Sequence, residues 1–385
     1  MTAAQILALG HARDVAALTA RVAQLRTANV LRSVGLDLAL PDIVDAVRER
    51  ARVTVHFHPD RFLPAGGTVV CSLAEEGWYR NQFETGITNG GIPVKTAAPR
   101  DREERELFAD AYLRAGVRPG DRPKYGALDF VGAPEGATPE FGPCHLRLRP
   151  LVLPRCTFSL ADGHRTRDTG TWHLMDSLVA GLLEAARGES VPGGDRLPGE
   201  DVRRLLGMLL DTGGLNGTAG GRNSAEAPSA QGTGGTGGIG GILPPSGDLS
   251  PVRVDAQVHG EILLSRDVDR LVADPSYRGT AVEEELAQIR DRYELDLHWH
   301  RGFALPFEKL QALCGESLMS VLARQVHREF ADGAPCLTAA IIGRATAAIH
   351  RDPLRWADWG SPTHSLSLLG QLWRVVVRHG LLPVP

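Results

Sequence analysis

The chain has 385 residues, 43% of them hydrophobic and 23% charged, with a formal net charge of −4 at pH 7. That length favours one large domain with appendages, or two domains, and the composition is that of an ordinary soluble globular protein. A weakly acidic balance gives no reason to expect nucleic acid or an anionic membrane as partner, and no apolar run approaches the roughly 20 residues of a membrane span.

The N-terminus, MTAAQILALGHARD, has neither the basic start nor the long apolar stretch of a signal peptide. Residues 12–34 set Val15, Leu18, Val22, Leu25 and Val30 near helical spacing, and PDIVDAVRERA forms a second short helix opened by Pro41. The run from Val53 to His58 alternates at period 2, which predicts a strand with His56 and His58 on one side and Val55 and Phe57 on the other. Pro59 ends it, because proline donates no ladder hydrogen bond. Residues 67–84 begin as a strand or short helix (TVVCSLAEEG). They continue into a polar and aromatic segment that includes Tyr79, Arg80, Gln82 and Thr85. GITNGGI follows as a turn, since Asn-Gly-Gly favours positive φ. Residues 101–116 predict a helix with acidic residues in its first turn, as the helix dipole favours.

The middle of the chain is rich in β signals, with strands predicted over 125–131, 144–149 and 156–160. Helices are expected over 173–187 and 200–211. Between 212 and 241, twelve of thirty residues are glycine, so 212–250 reads as a disordered insertion within a domain. A strand over 252–259 follows, then helices over 267–273 (capped by Ser265 or Asp267) and 279–293, and a last strand over 295–300. The six strands are expected in one connected sheet system. The fold class is therefore α+β with a mixed central sheet. Residues 1–50 form a helical preface, 51–305 the core domain with its insertion, and 306–385 a helical C-terminal region. The five cysteines are scattered and never in CxxC spacing, which reads as reduced thiols and a cytoplasmic location.

Three polar clusters stand on or beside predicted strands: HFHPDR with YRNQFET, RCTFSLADG, and DAQVHGE. Strand ends gathered in one sheet are how an α+β domain builds a site from distant residues. One chemistry open to them is a divalent metal held by His56, His58 and Asp60, since alternate strand residues project toward a single ion as in metal-dependent hydrolases. A non-catalytic binding role uses the same polar surface.

The motifs HFHPDR, GWYRNQFETGITNGG, PKYGALDF, FGPCHLRLRP, RCTFS, VDAQVHGEI and LVADPSYRGT occur in this order in a bacterial family catalogued as a domain of unknown function, which the chain resembles over roughly 50–305. FGPCHLRLRP…RCTFS followed by VDAQVHG is also similar to segments of ADP-ribosyltransferases of the phage and polymorphic-toxin type. That second resemblance implies an ADP-ribosyltransferase-type sheet, with NAD as co-substrate and an acceptor that the sequence does not name. Under it, His56 or His58 is the first-strand residue, Thr157 and Ser159 form the hydroxyl strand, and Asp255 and Gln257 are the catalytic-acid pair. Tyr79 or Tyr125 would stack on nicotinamide, with Arg80, Gln82 and Thr85 beside the cofactor. Cleaving the nicotinamide–ribose bond passes through an oxocarbenium-like transition state, which a strand-borne acid stabilises. Asp255 stands where the resemblance expects Glu, and Ala161-Asp162-Gly163 where it expects Gly-Asp-Ser. A shorter acid implies weakened chemistry with binding intact, and Glu261 replaces it only if the strand bends at Gly260.

Overall fold

A computed structural model describes residues 1–87, 97–160, 174–188, 200–210 and 253–380. The glycine-rich stretch 212–250, the Asn89-Gly90-Gly91 turn and Ala161-Asp162-Gly163 lie outside the described residues. The chain opens with α1 (Ala3–Ser33) and α2 (Leu40–Arg50), then β1 (Arg52–Phe57), α3 (Val69–Glu76), β2 (Trp78–Tyr79), α4 (Gln82–Thr85) and α5 (Ala97–Phe108). Next come β3 (Lys124–Asp129), β4 (Cys144–Leu148), β5 (Cys156–Leu160), α6 (Met175–Gly188) and α7 (Glu200–Leu210). β6 (Val254–Val258), β7 (Ile262–Leu263), α8 (Leu264–Asp267), β8 (Val268–Ala273), α9 (Ala281–Tyr293) and β9 (Asp296–Trp299) follow. The C-terminal part holds β10 (Ala304–Pro306), α10 (Phe307–Cys314), α11 (Leu318–Phe330), β11 (Cys336–Thr338), α12 (Ala339–Arg351) and α13 (Pro362–His379).

The protein is α+β with a mixed central sheet. Seven strands run in the order β5-β6-β3-β1-β4-β8-β9, antiparallel throughout except for the β8–β9 pair. All six strands expected from the sequence are in it. The seventh, β8, replaces the helix expected over 267–273. The local capping signal is spent elsewhere: the Asp267 carboxylate accepts the Leu263 N–H at 2.9 Å and pairs with Arg155 and Arg266, which holds only the four-residue α8. Beyond it, pairing with β4 and β9 keeps Val268–Ala273 extended, so tertiary context overrides the local preference. β3 stops at Asp129 rather than 131, because that carboxylate accepts the N–H groups of Val131, Gly132 and Ala133 and turns the chain.

Alternation sorts the sheet into two unlike faces. Val53, Val55, Phe57, Leu146, Ala256, Val258 and Leu271 are buried and share one hydrophobic cluster with α2, α3, α6, α7, α9 and the C-terminal helices. The C-terminal region is thus joined to the core rather than set apart from it. Phe62 stacks on His350 at 4.0 Å, and the Trp373 indole donates to the Pro139 carbonyl at 2.9 Å. Among the described residues no helix is long and apolar enough to cross a membrane.

The other face is polar and partly roofed by the segment 131–142. Gly136 has φ +77, and a Cβ there would lie 2.5 Å from His56 Nε2. Gly142 is extended, and a Cβ there would lie 2.3 Å from the Phe57 carbonyl oxygen. Backbone cannot give way as a flexible side chain does, so Gly142→Ala is expected to cost about 2–3 kcal/mol. A melting curve should then drop by roughly 5 °C or more. An unchanged melting temperature would mean that the roof lifts freely.

Candidate functional site

The polar face brings together residues far apart in sequence by register alone. Ser159 lies opposite Asp255, and Thr157 opposite Gln257. On the other side of β6, Gln257 lies opposite Tyr125 and Asp255 opposite Ala127. β1 comes next, with Thr54 opposite Ala127. His56 stands two residues further along β1, on the same face, and is opposite His145 of β4. Partners directly across a ladder have Cβ atoms roughly 4.5–5.5 Å apart. Thr157, Ser159, Gln257, Asp255 and Tyr125 therefore form one contiguous patch on β5, β6 and β3.

Within this patch burial divides the roles. Thr157, Gln257 and His259 are fully enclosed, and a buried polar group must find a partner. They find one another. Tyr112 Oη lies 2.5 Å from His259 Nδ1, and His259 Nε2 lies 3.0 Å from Thr157 Oγ1. The Thr157 hydroxyl donates to Gln257 Oε1 at 3.1 Å, and Gln257 Nε2 donates to Ser159 Oγ at 2.9 Å. Burial lowers the His259 pKa to about 3, so its imidazole is neutral. It lifts the Tyr112 hydroxyl far above the usual tyrosine range.

At the open edge of the patch, the Asp255 side chain is 26% exposed and accepts from Arg253 Nε at 2.9 Å. Arg253 also reaches Glu140 at 3.4 Å and lies over the Phe141 ring. Tyr125 is bracketed by α5: its hydroxyl donates to Glu104 at 2.9 Å, and the Arg100 guanidinium sits 4.1 Å from its ring centroid. Glu104 also accepts from Arg122 Nε at 2.9 Å, while Arg122 reaches Asp101 at 2.7 Å and stacks over Phe83. Desolvation, then the neighbouring Glu104 charge, pushes the Tyr125 pKa well up. The result is a partly exposed carboxylate beside a buried hydroxyl strand, flanked by a tyrosine with a guanidinium on its face. Such a set can hold a ligand hydroxyl and a flat ring, and can stabilise positive charge developing beside Asp255.

The other residues expected at the site lie in different surroundings. His56 is buried, with both ring nitrogens engaged. Nδ1–H donates to the Gly142 carbonyl at 2.9 Å, and Nε2 accepts the Thr138 N–H at 3.3 Å. His58 is buried edge-on to Trp373, and Asp60 accepts the Tyr277 hydroxyl at 2.8 Å. This geometry does not favour the metal reading of His56, His58 and Asp60, since His56 has no nitrogen left to ligate. Among the described residues no group of three or more His, Cys, Asp or Glu could hold a metal ion. Tyr79 pairs with Ile262 across the β2–β7 ladder, packed against the main core. Arg80 pairs with Glu76 at 2.6 Å and lies over Trp78. Gln82 opens α4, which Asn81 caps through the N–H groups of Phe83 and Glu84. Thr85 closes α4, with its hydroxyl on the Asn81 carbonyl. The Asn81 side chain ties α4 to Pro119 and Arg122, and among the described residues the Arg122–Glu104–Tyr125 chain links this segment to the patch.

Sequence reasoning did not single out Tyr112, Arg100, Glu104, Arg122 or Arg253 as site residues. The only signal available for the α5 pair was spacing: Arg100 and Glu104 are one turn apart and so share a helix face.

The fold and the patch define an α+β sheet protein with a polar face assembled on three adjacent strands. The chain belongs to the family described as "Protein of unknown function (DUF3626)", whose model matches residues 52–198 and 243–379. That match agrees with the run of motifs from HFHPDR to LVADPSYRGT, takes in every strand of the central sheet, and leaves out α1 and α2. No curated protein matches the chain.

Proposed function

We propose that the chain is an NAD-using, ADP-ribosyltransferase-like protein with its site at the Asp255 edge of the polar sheet face. One observation carries the reading: Asp255 stands directly across the ladder from Ser159, and Gln257 directly across from Thr157. The acid pair and the hydroxyl strand are thus cross-strand neighbours, which supports reading them as one site. Tyr125 on the next strand supplies an aromatic ring, one face of which carries the Arg100 guanidinium. In this reading Asp255 stabilises the cation that develops on the ribose as nicotinamide departs. Ser159 holds a ribose oxygen, while Thr157 and Gln257 act from the interior by fixing Ser159. His56 braces the roof over the neighbouring strands through Gly142 and Thr138.

The reading is tested by titration calorimetry of the full chain with NAD and, separately, with Mg²⁺ and Zn²⁺. Saturable binding of one NAD per chain is expected, with a dissociation constant in the ~1 μM to ~1 mM range usual for enzyme substrates. Absence of saturable NAD binding overturns it, and stoichiometric binding of a divalent metal in its place would favour the metal reading.

A further inference from the structure

We infer that Tyr112 and His259 are positioning residues for this site, setting the direction of a buried hydrogen-bond chain so that Ser159 turns its hydroxyl hydrogen toward a ligand acceptor beside Asp255. The inference rests on the reading of Asp255 and Ser159 as the ligand-facing pair. Neither Tyr112 nor His259 reaches the open edge; both act through Thr157 and Gln257.

The direction follows from what each end can donate. Among the described residues, His259 is the only hydrogen-bond partner of the Tyr112 hydroxyl. If the chain ran from Ser159 to Tyr112, His259 Nδ1–H would give its proton to the tyrosine oxygen. The Tyr112 O–H would then be a buried donor with no acceptor, which costs more than a hydroxyl oxygen with a spare lone pair. So Tyr112 donates to Nδ1, and the neutral ring carries its proton on Nε2 and donates to Thr157 Oγ1. The Thr157 hydrogen then goes to Gln257 Oε1, and the Gln257 amide donates to Ser159 Oγ. Each hydroxyl and ring N–H of the chain but the last is then used once, and beside the second hydrogen of the Gln257 amide the Ser159 hydroxyl hydrogen is left for a ligand. Tyr112 is itself seated by packing: with Ala4, Ala8, Leu107, Phe108 and Ala111 it forms a second hydrophobic cluster, and Phe108 lies edge-on to the His259 ring at 5.1 Å.

The experiment is tautomer assignment by ¹⁵N NMR on the full chain with labelled histidine, His259 being identified by the signal lost in His259→Gln. A neutral ring protonated on Nε2 at pH 7 is expected. Protonation on Nδ1, or a charged ring, overturns the inference whether or not NAD binds. If the native chain fails to bind NAD, the functional reading falls and the tautomer still decides the direction of the chain. If NAD binds, Tyr112→Phe keeps the ring packing but frees Nδ1, and is expected to weaken NAD binding ~5-fold, about the worth of one net hydrogen bond. His259→Gln retains an N–H donor near the Nε2 position and is expected to bind within ~3-fold of the native chain, whereas His259→Ala weakens binding ~10-fold or more. A structural role alone does not predict rescue by glutamine. Equal NAD affinity in Tyr112→Phe and the native chain overturns the positioning role.

Discussion

Asp255→Asn is expected to lower NAD turnover ~10²–10³-fold, the loss seen when one oxyanion-type contact is removed. The dissociation constant for NAD should change far less. Under the proposed function the carboxylate interacts most strongly with charge that exists only as the nicotinamide–ribose bond breaks, so its removal would act on the transition state rather than on the bound ground state. The amide preserves shape and leaves the Gln257–Ser159 and Thr157–Gln257 bonds intact. Arg253, which now pairs with Asp255 at 2.9 Å, would keep Glu140 as a partner. Asp255→Glu adds the methylene that the resemblance calls for and is expected to keep or raise activity. Nicotinamide release measured at saturating NAD checks both variants. Native turnover in Asp255→Asn, or a loss confined to NAD affinity, would remove Asp255 from the chemistry.

The sheet was legible because its strands announce themselves by alternation. Val53 to His58 and Cys144 to Arg149 alternate cleanly, and the apolar half of each does face the core. Register was not legible. Nothing in Ser159 or Asp255 alone says that they stand opposite each other; that follows from which strands pair, a property of the whole chain. His56 shows the limit from the other side. An HxH on a strand end reads as a ligand pair, yet the loop 131–142 returns over it and occupies both ring nitrogens with backbone groups. Only the fold of a segment 80 residues later decides that. The helix expected at 267–273 failed for the same reason, since Asp267 met Leu263, Arg155 and Arg266 in place of a helix N-terminus of its own. Tyr112 and His259, 147 residues apart, were beyond reach of any local pattern.

Acidification is expected to unfold the chain cooperatively between about pH 6 and pH 4, well above the range where carboxylates alone would do so. Four histidines are buried and held neutral: His56 and His259 with pKa values lowered to about 3, and His58 and His145 well below the usual value. Desolvation is the leading cause in each. For His145 repulsion from any charge arising on His56 or His300 adds to it, and for His58 the charge of Arg61 does. In the unfolded chain these rings titrate near 6.5. Above that pH neither state takes up a proton and the full stability is present. As the pH falls below 6.5, only the unfolded chain binds protons, so stability is lost progressively until the pH reaches the folded values. Each ring contributes ~1.4 kcal/mol per pH unit. At pH 5 four rings amount to ~8 kcal/mol, set against a total stability of roughly 5–15 kcal/mol. Asp60, Glu104, Asp129 and Glu140 act with the opposite sign: burial raises their pKa values, so they bind protons in the folded state first and draw the midpoint downward. Far-UV circular dichroism against pH measures the transition. His145, whose Nδ1 has no hydrogen-bond partner among the described residues, supplies the control. His145→Leu removes one titrating ring at similar volume and should move the midpoint to lower pH. A native chain that stays folded to pH 3, or a midpoint that His145→Leu leaves in place, would show that these rings are not held neutral by burial.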